Sequence, residues 1–262
     1  MKRKVMQRIL GKFLFLMNGA MIGIILGLLF ENCEMGKKIV EVGNVINVMD
    51  TFGEEEKICY LTFDDGPSHN TEKILDLLKE YKAKATFFVI GNSLGPENKA
   101  VIERIVKEGH CIGLHANNHS YEKFYKDEES WLEDFELLDY RLQSEYGIKA
   151  SLFRFPGGSA CKYMKGNVKE HIAVMHAKGM ICFDWNVSGE DSVGNPTPNS
   201  IYQKVLKQAL KYHTPVVLLH DSTIADATVV ALEDILKEMN SQGYRFETLE
   251  KRKEYIFRSS RE

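Results

Sequence analysis

From residue 57 onward, short apolar runs alternate with longer stretches whose apolar positions recur three and four apart, the pattern of strands that each feed a helix. The strand candidates are 58–63, 85–90, 111–114, 152–155, 180–183, 216–219 and a weaker run at 244–246. Between them, Ile74, Leu77, Leu78 and Tyr81 mark one helical face, and Trp131, Phe135, Leu138 and Leu142 another. Gly109, Gly147, Gly179 and Gly243 each follow such a stretch, where a left-handed closing residue is wanted. Seven strands in serial βα order predict an α/β domain. Periodicity alone does not choose between an open doubly wound sheet and a barrel.

The beginning of the chain breaks this pattern. Lys2, Arg3, Lys4, Arg8 and Lys12 precede an apolar stretch at 13–30, interrupted only by Asn18 and small residues. Its length sits at the lower edge of a bilayer span, about 17–25 residues. Leu29, Phe30, Glu31, Asn32 and Cys33 do not form the small-x-small pattern of a signal-peptidase site. A retained transmembrane anchor within 1–32 is therefore expected, with its basic flank in the cytoplasm and the remainder of the chain outside the cell; secretion after cleavage is the alternative. Residues 33–56, ending in Glu54, Glu55 and Glu56, read as a stalk, and 57–262 as the folded domain.

A hydrophobic fraction of 44% in 262 residues permits a sizeable core. The net charge of -3 provides no broad basic field, so nucleic acid is not an expected partner. Five cysteines without a CxxC pair suggest no disulfide framework; Cys59, Cys111 and Cys182 fall in apolar runs and read as buried small side chains.

Polar residues cluster where the strand candidates end. Asp64 and Asp65, turned by Gly66-Pro67, can divide their work, one carboxylate binding a cation and the other taking a proton; Asp-Asp-Gly-Pro is also simply a good turn. His115 and His119 bracket three residues and, with a carboxylate, would make a three-ligand metal site with open positions. His69, His110, His171, His176 and His213 read as surface or packing residues. Arg154, before Phe155-Pro156-Gly157-Gly158, suits a grip on a carboxylate, and glycine amides can approach a developing oxyanion. Trp185, Asp191, Leu218 and His220 add an aromatic wall, an acid and a histidine. Side chains from five strand ends converge on one centre only where the sheet curls, which favours a barrel-like closure.

Over 57–249 the chain resembles the NodB-type polysaccharide deacetylases, carbohydrate esterase family four. The resemblance rests on TFDDGP at 62–67, HxxxH at 115–119, RFPGG at 154–158, WNVSGED at 185–191 and LLHD at 218–221, in the family's order. It implies a distorted seven-stranded β/α barrel. It also implies a divalent metal, usually zinc with cobalt, manganese or nickel as substitutes, held by Asp65, His115 and His119. Asp64 would be the general base, oriented by Arg154, and His220 the general acid, supported by Asp191. The Gly157 amide would face the oxyanion, while Trp185 and Leu218 would line the acetyl pocket. Three positions depart from the family's habit. Ala116 stands in place of Ser or Thr, with Asn117 or Asn118 expected to replace the lost hydrogen bond; Gly157 stands in place of an aromatic residue, and Ser188 in place of an acid. The implied activity is removal of N-acetyl groups from cell-wall polysaccharide, with N-acetylglucosamine of peptidoglycan expected for a domain anchored outside the membrane. Chitooligosaccharide deacetylation, O-acetyl removal from xylan, and a glycan-binding barrel without turnover are the alternatives.

Overall fold

The structure, a computed structural model, describes residues 56–257 apart from 128. Both the apolar stretch read as an anchor and the stalk up to residue 55 lie outside the described residues. Among the described residues, no helix is long and apolar enough to cross a membrane.

Eight strands form one sheet: β1 (Ile58–Asp64), β2 (Ala85–Ile90), β3 (Cys111–Ala116), β4 (Leu152–Phe153), β5 (Ile181–Cys182), β6 (Val187–Ser188), β7 (Val216–His220) and β8 (Arg245–Phe246). Every recorded pairing is parallel. All seven expected strands are present. The run at 152–155 shortens to β4, because Pro156 has no N–H to continue a ladder. Sequence reading missed β6, whose two residues sit within a motif rich in turn formers.

Helices fill the connections: α1 (Thr71–Glu80), α2 (Lys99–Lys107), the short α3 (Tyr121–Phe124), α4 (Ser130–Tyr146), α5 (Val168–Ala177), α6 (Pro198–Ala209) and α7 (Asp226–Ser241). Trp131, Phe135, Leu138 and Leu142 are the buried face of α4, as their spacing requires, and Gly147 closes that helix at φ 69°.

Strand order shows how the sheet must bend. Hydrogen-bonded neighbours run β5-β4-β3-β2-β1-β7-β6, with β8 also on β1. Laid flat, that order separates β5 from β6 by about 29 Å, six strand spacings. Yet only residues 183–186 join them, a reach of about 18 Å at full extension. The sheet therefore curls until its two ends approach. They make no ladder with each other; instead Phe183 bridges in parallel to Tyr255 in the C-terminal segment.

Two separate cores follow from the curl. Cys59, Leu61 and Phe63 of β1, Ala85, Phe87 and Val89 of β2, and Val217 and Leu219 of β7 pack against the helices. The alternate positions point inward: Tyr60, Phe88, Cys111, Leu152, Phe183 and Val216 form a second, smaller cluster. Side-chain alternation puts Thr62 and Asp64 above Tyr60, and Leu218 and His220 above Val216. The interior is apolar below and polar at the C-terminal mouth. Cys59, Cys111 and Cys182 are buried free thiols, as expected.

Candidate active site

At the mouth, Asp65 leaves β1 at φ 76°, an uncommon conformation for any residue but glycine, tolerated by aspartate. The turn is held from below by Asp221, which accepts from Ser68 Oγ at 2.8 Å and Thr71 Oγ1 at 2.6 Å. A Cβ on Gly66 would stand 2.4 Å from Asp221 Oδ2, so glycine is needed for this close approach. Burial pushes the Asp221 carboxyl up to about 7, against the two hydroxyl bonds.

This turn delivers Asp65 Oδ1 to 3.5 Å from His115 Nε2 and 3.5 Å from His119 Nε2. The three side chains offer ligand atoms within 4.8 Å of one another. Three observations fit a cation there. Asp65 Oδ1 is buried without a hydrogen-bond partner. His115 Nδ1 donates to the Arg154 carbonyl at 2.9 Å, which fixes the tautomer and leaves Nε2 as an acceptor. Burial lowers the His115 pKa, partly opposed by Asp64 and Asp65, so the ring stays neutral as a ligand must. The loop between the histidines is clamped from α4: Asp134 accepts the backbone N–H groups of both Asn117 and Asn118. The loop after Ala116 is thus held through its main-chain amides, with Asn117 Oδ1 also accepting from Arg141 at 3.5 Å.

Arg154 is wholly buried, and four of its five N–H groups are engaged. It donates to Asp64 Oδ1 at 2.8 Å, Thr62 Oγ1 at 2.7 Å, the Phe183 carbonyl at 2.7 Å and the Asp184 carbonyl at 3.2 Å, with its guanidinium over the Phe88 ring. Burial alone would raise the Asp64 carboxyl; Arg154, then His115 and His220, outweigh it and hold the group below the usual carboxylate range. Asp64 is consequently a carboxylate at neutral pH, with Oδ2 3.8 Å from His115 Nε2.

His220 lies in register with Asp64 across the β1–β7 ladder. Its Nδ1 donates to Asp191 Oδ1 at 2.8 Å, and its backbone N–H donates to Asp191 Oδ2 at 2.8 Å. Thr228 of α7 donates to the same Oδ2 at 2.7 Å. Burial lowers the imidazole pKa, but the bond to Asp191 and its charge, then Asp64 and Asp65, reverse this and raise it to about 9.

The structure thus brings together Asp64, Asp65, His115, His119, Arg154, His220 and Asp191. Gly157 is exposed at φ 76° on the loop after β4. Trp185 is half-buried beside the Arg154 guanidinium at 5.5 Å, and Leu218 sits one inward position below His220. The other histidines lie elsewhere: His69 pairs with Asp226 and His176 with Glu254, while His110 accepts from the Ala85 N–H.

Sequence reading missed several supports. Asp184, buried, accepts from the Ser159 N–H, the Ser159 hydroxyl and the Phe257 N–H, tying the glycine loop to the C-terminal segment. Asp134, Asp221 and Thr228 hold the turns and acid just described. Tyr121, two residues past His119, sets its ring edge-on to that imidazole at 5.6 Å. Burial, with Cys161 and both aspartates adding, pushes its phenol up to about 12, so it remains a neutral donor.

Residues 53–174 match the family model described as Polysaccharide deacetylase. A peptidoglycan-N-acetylglucosamine deacetylase of Bacillus cereus is 39% identical over 197 residues, covering 74% of this chain and 87% of that protein. Among solved structures, the catalytic domain of a peptidoglycan N-acetylglucosamine deacetylase from Eubacterium rectale superposes with a TM-score of 0.71 at 34% identity, covering 77% of this chain and 93% of that one. A polysaccharide deacetylase of Bacillus cereus gives 0.67 at 28% identity, covering 78% and 98%.

Proposed function

From the premise that this chain belongs to the polysaccharide deacetylase family, we propose that it hydrolyses the N-acetyl groups of N-acetylglucosamine in peptidoglycan. The observation that carries the reading is the pairing, across neighbouring strand ends, of a carboxylate held ionised with an imidazole held protonated. A base and an acid with separated pKa values are what amide hydrolysis needs, since one proton must be taken from water and another given to the departing nitrogen. The comparison supporting the substrate is the Bacillus cereus peptidoglycan-N-acetylglucosamine deacetylase, which the chain matches over most of that protein's length.

Asp65, His115 and His119 would hold one divalent cation, zinc in our reading, which supplies Lewis-acid polarisation of the acetamide and acidifies water. Asp64, fixed by Arg154, takes the proton from the attacking water. The Gly157 N–H faces the carbonyl oxygen as it becomes an oxyanion. His220 then gives its proton to the amine, and Asp191 keeps that proton in place beforehand. Trp185 and Leu218 enclose the acetyl methyl. The curled sheet is, on this reading, the family's distorted barrel, and the basic flank with residues 13–30 anchors the enzyme in the membrane with the barrel outside.

Acetate and free amine measured together test the activity. Zinc-loaded enzyme should release both from purified peptidoglycan; acetate without amine, or acetate only from acetylated xylan, would refute the assignment. Cell fractionation tests the anchor: mature protein soluble outside the cell, beginning near Cys33, would show a cleaved signal.

A further inference from the structure

Gly157 leaves a place at the mouth that another residue fills. A Cβ built on this glycine would meet Tyr121 Oη at 2.9 Å, nearer than any other atom, and Cys161 Sγ at 3.3 Å. The phenol of Tyr121 therefore occupies the space beside the backbone that a side chain at 157 would claim. It arrives there from a different loop, the one that carries His119.

The ring is fixed and its hydroxyl is not used. Three aromatic neighbours surround it, His119 at 5.6 Å, Tyr163 at 5.5 Å and Tyr125 at 5.9 Å between ring centroids. The neighbouring Tyr125 shows the alternative of a structural phenol: its Oη donates to the Pro156 carbonyl at 2.7 Å. Among the described residues, nothing accepts from Tyr121 Oη. A half-buried O–H donor with no internal acceptor, standing between a candidate cation ligand and an exposed glycine backbone, is placed to meet a ligand oxygen.

We propose that Tyr121 is a further catalytic residue, whose phenolic O–H donates to the acetamide oxygen alongside the Gly157 N–H as charge builds there. The assignment rests on the deacetylase reading. No bond of the tyrosine forms or breaks: the hydrogen bond strengthens as the carbonyl becomes a tetrahedral oxyanion and weakens as the carbonyl returns in acetate. A ring present only for packing would be served equally by phenylalanine, and that difference gives the test.

Tyr121→Phe in the full-length zinc-loaded enzyme, assayed on chitotetraose, should lower kcat by about 10–100-fold, at or below the usual loss for one oxyanion donor. KM should move by less than about 3-fold, since the bond matters chiefly in the transition state. Zinc affinity, measured by competition with a chromogenic chelator, should be unchanged. Calorimetric affinity for a methylphosphonamidate of glucosamine, whose tetrahedral anion imitates the adduct, should fall by the same factor as kcat/KM. Unchanged kcat overturns the proposal. So does a loss confined to KM, which would place the hydroxyl on a sugar oxygen, or a loss matched by weaker zinc binding, which would make the ring a support for His119. Wild-type enzyme that releases no acetate from either chitotetraose or purified peptidoglycan overturns the deacetylase reading itself, and the tyrosine's role with it.

Discussion

Replacing Asp191 with asparagine separates the proton on His220 from the shape of the site. In the native protein the imidazole stands at about 9, raised by the bond and charge of Asp191 against burial. The variant keeps the burial and loses the largest opposing contribution, so the ring should fall toward its ordinary value of about 6.5. An imidazole at 9 is about nine-tenths protonated at pH 8, and one at 6.5 about 3% protonated, a loss of general acid of about 30-fold. At pH 6 the same comparison gives less than about 1.5-fold. The assay is kcat across pH 5.5–9 by acetate release, in buffers of constant ionic strength. A deficit that grows with pH, with the alkaline limb moved down from about 9, is the expected result. A deficit equal at pH 6 and pH 8, or an unmoved alkaline limb, refutes the reasoning. Folding carries the same signature. Because the folded pKa is raised, its stabilisation, about 3 kcal/mol, is fully present below pH 6.5 and is lost as pH rises through about 9. Urea unfolding of the wild type should weaken across that window, and Asp191→Asn should lack this decline. The variant also sets an amide donor against the His220 N–H, so its melting temperature belongs beside the kinetics.

Neighbouring aspartates should fail in different ways. Asp64→Asn should keep zinc stoichiometry and lose about 10²–10⁴-fold in turnover, whereas Asp65→Ala should lose zinc and partly recover in excess metal; the reverse pattern, by elemental analysis and acetate release, would sink the assignment. Arg154→Met removes the partner that outweighs burial at Asp64, so the acid limb of kcat/KM should move to higher pH, and urea unfolding should lose about 3–5 kcal/mol; an acid limb that stays in place counts against it. Asp134→Ala touches no proposed ligand but releases the Asn117 and Asn118 amides, and should weaken zinc affinity about 10–100-fold in chelator competition; unchanged affinity would show the clamp to be dispensable.

The residues gathered at the mouth were legible because they lie on strand ends whose apolar runs announce them. Asp64, His115, Arg154 and His220 each close or follow such a run, and alternation then puts Asp64 and His220 on the inner face. What supports those residues left no local mark. Asp134 reaches the His115–His119 loop from 16 or 17 residues away, and Thr228 reaches Asp191 from 37 away, pairings that only the folded chain makes. Tyr121 carries no signal in the sequence; its meaning depends on the short helix it opens and on Gly157 coming beside it. β6 was hidden for a related reason, since two residues show no period and their strand character comes from pairing with Val217 and Leu218. The curl itself follows from β5 and β6 lying at opposite ends of the pairing order with only four residues between them, a fact of topology rather than of composition.

The apolar cluster of Tyr60, Phe88, Cys111, Leu152, Phe183 and Val216 gives the curled sheet a floor. A polymer cannot thread through a filled interior, so a glycan must lie across the mouth and dip one acetamide at a time. Such an enzyme needs no chain end to begin. Internal acetamides are then expected to reach the mouth without the enzyme first finding a terminus. Oligomers with reduced or blocked ends should accordingly be deacetylated at their inner residues as fast as unblocked ones of equal length; a strict requirement for a free end would contradict the floor's consequence.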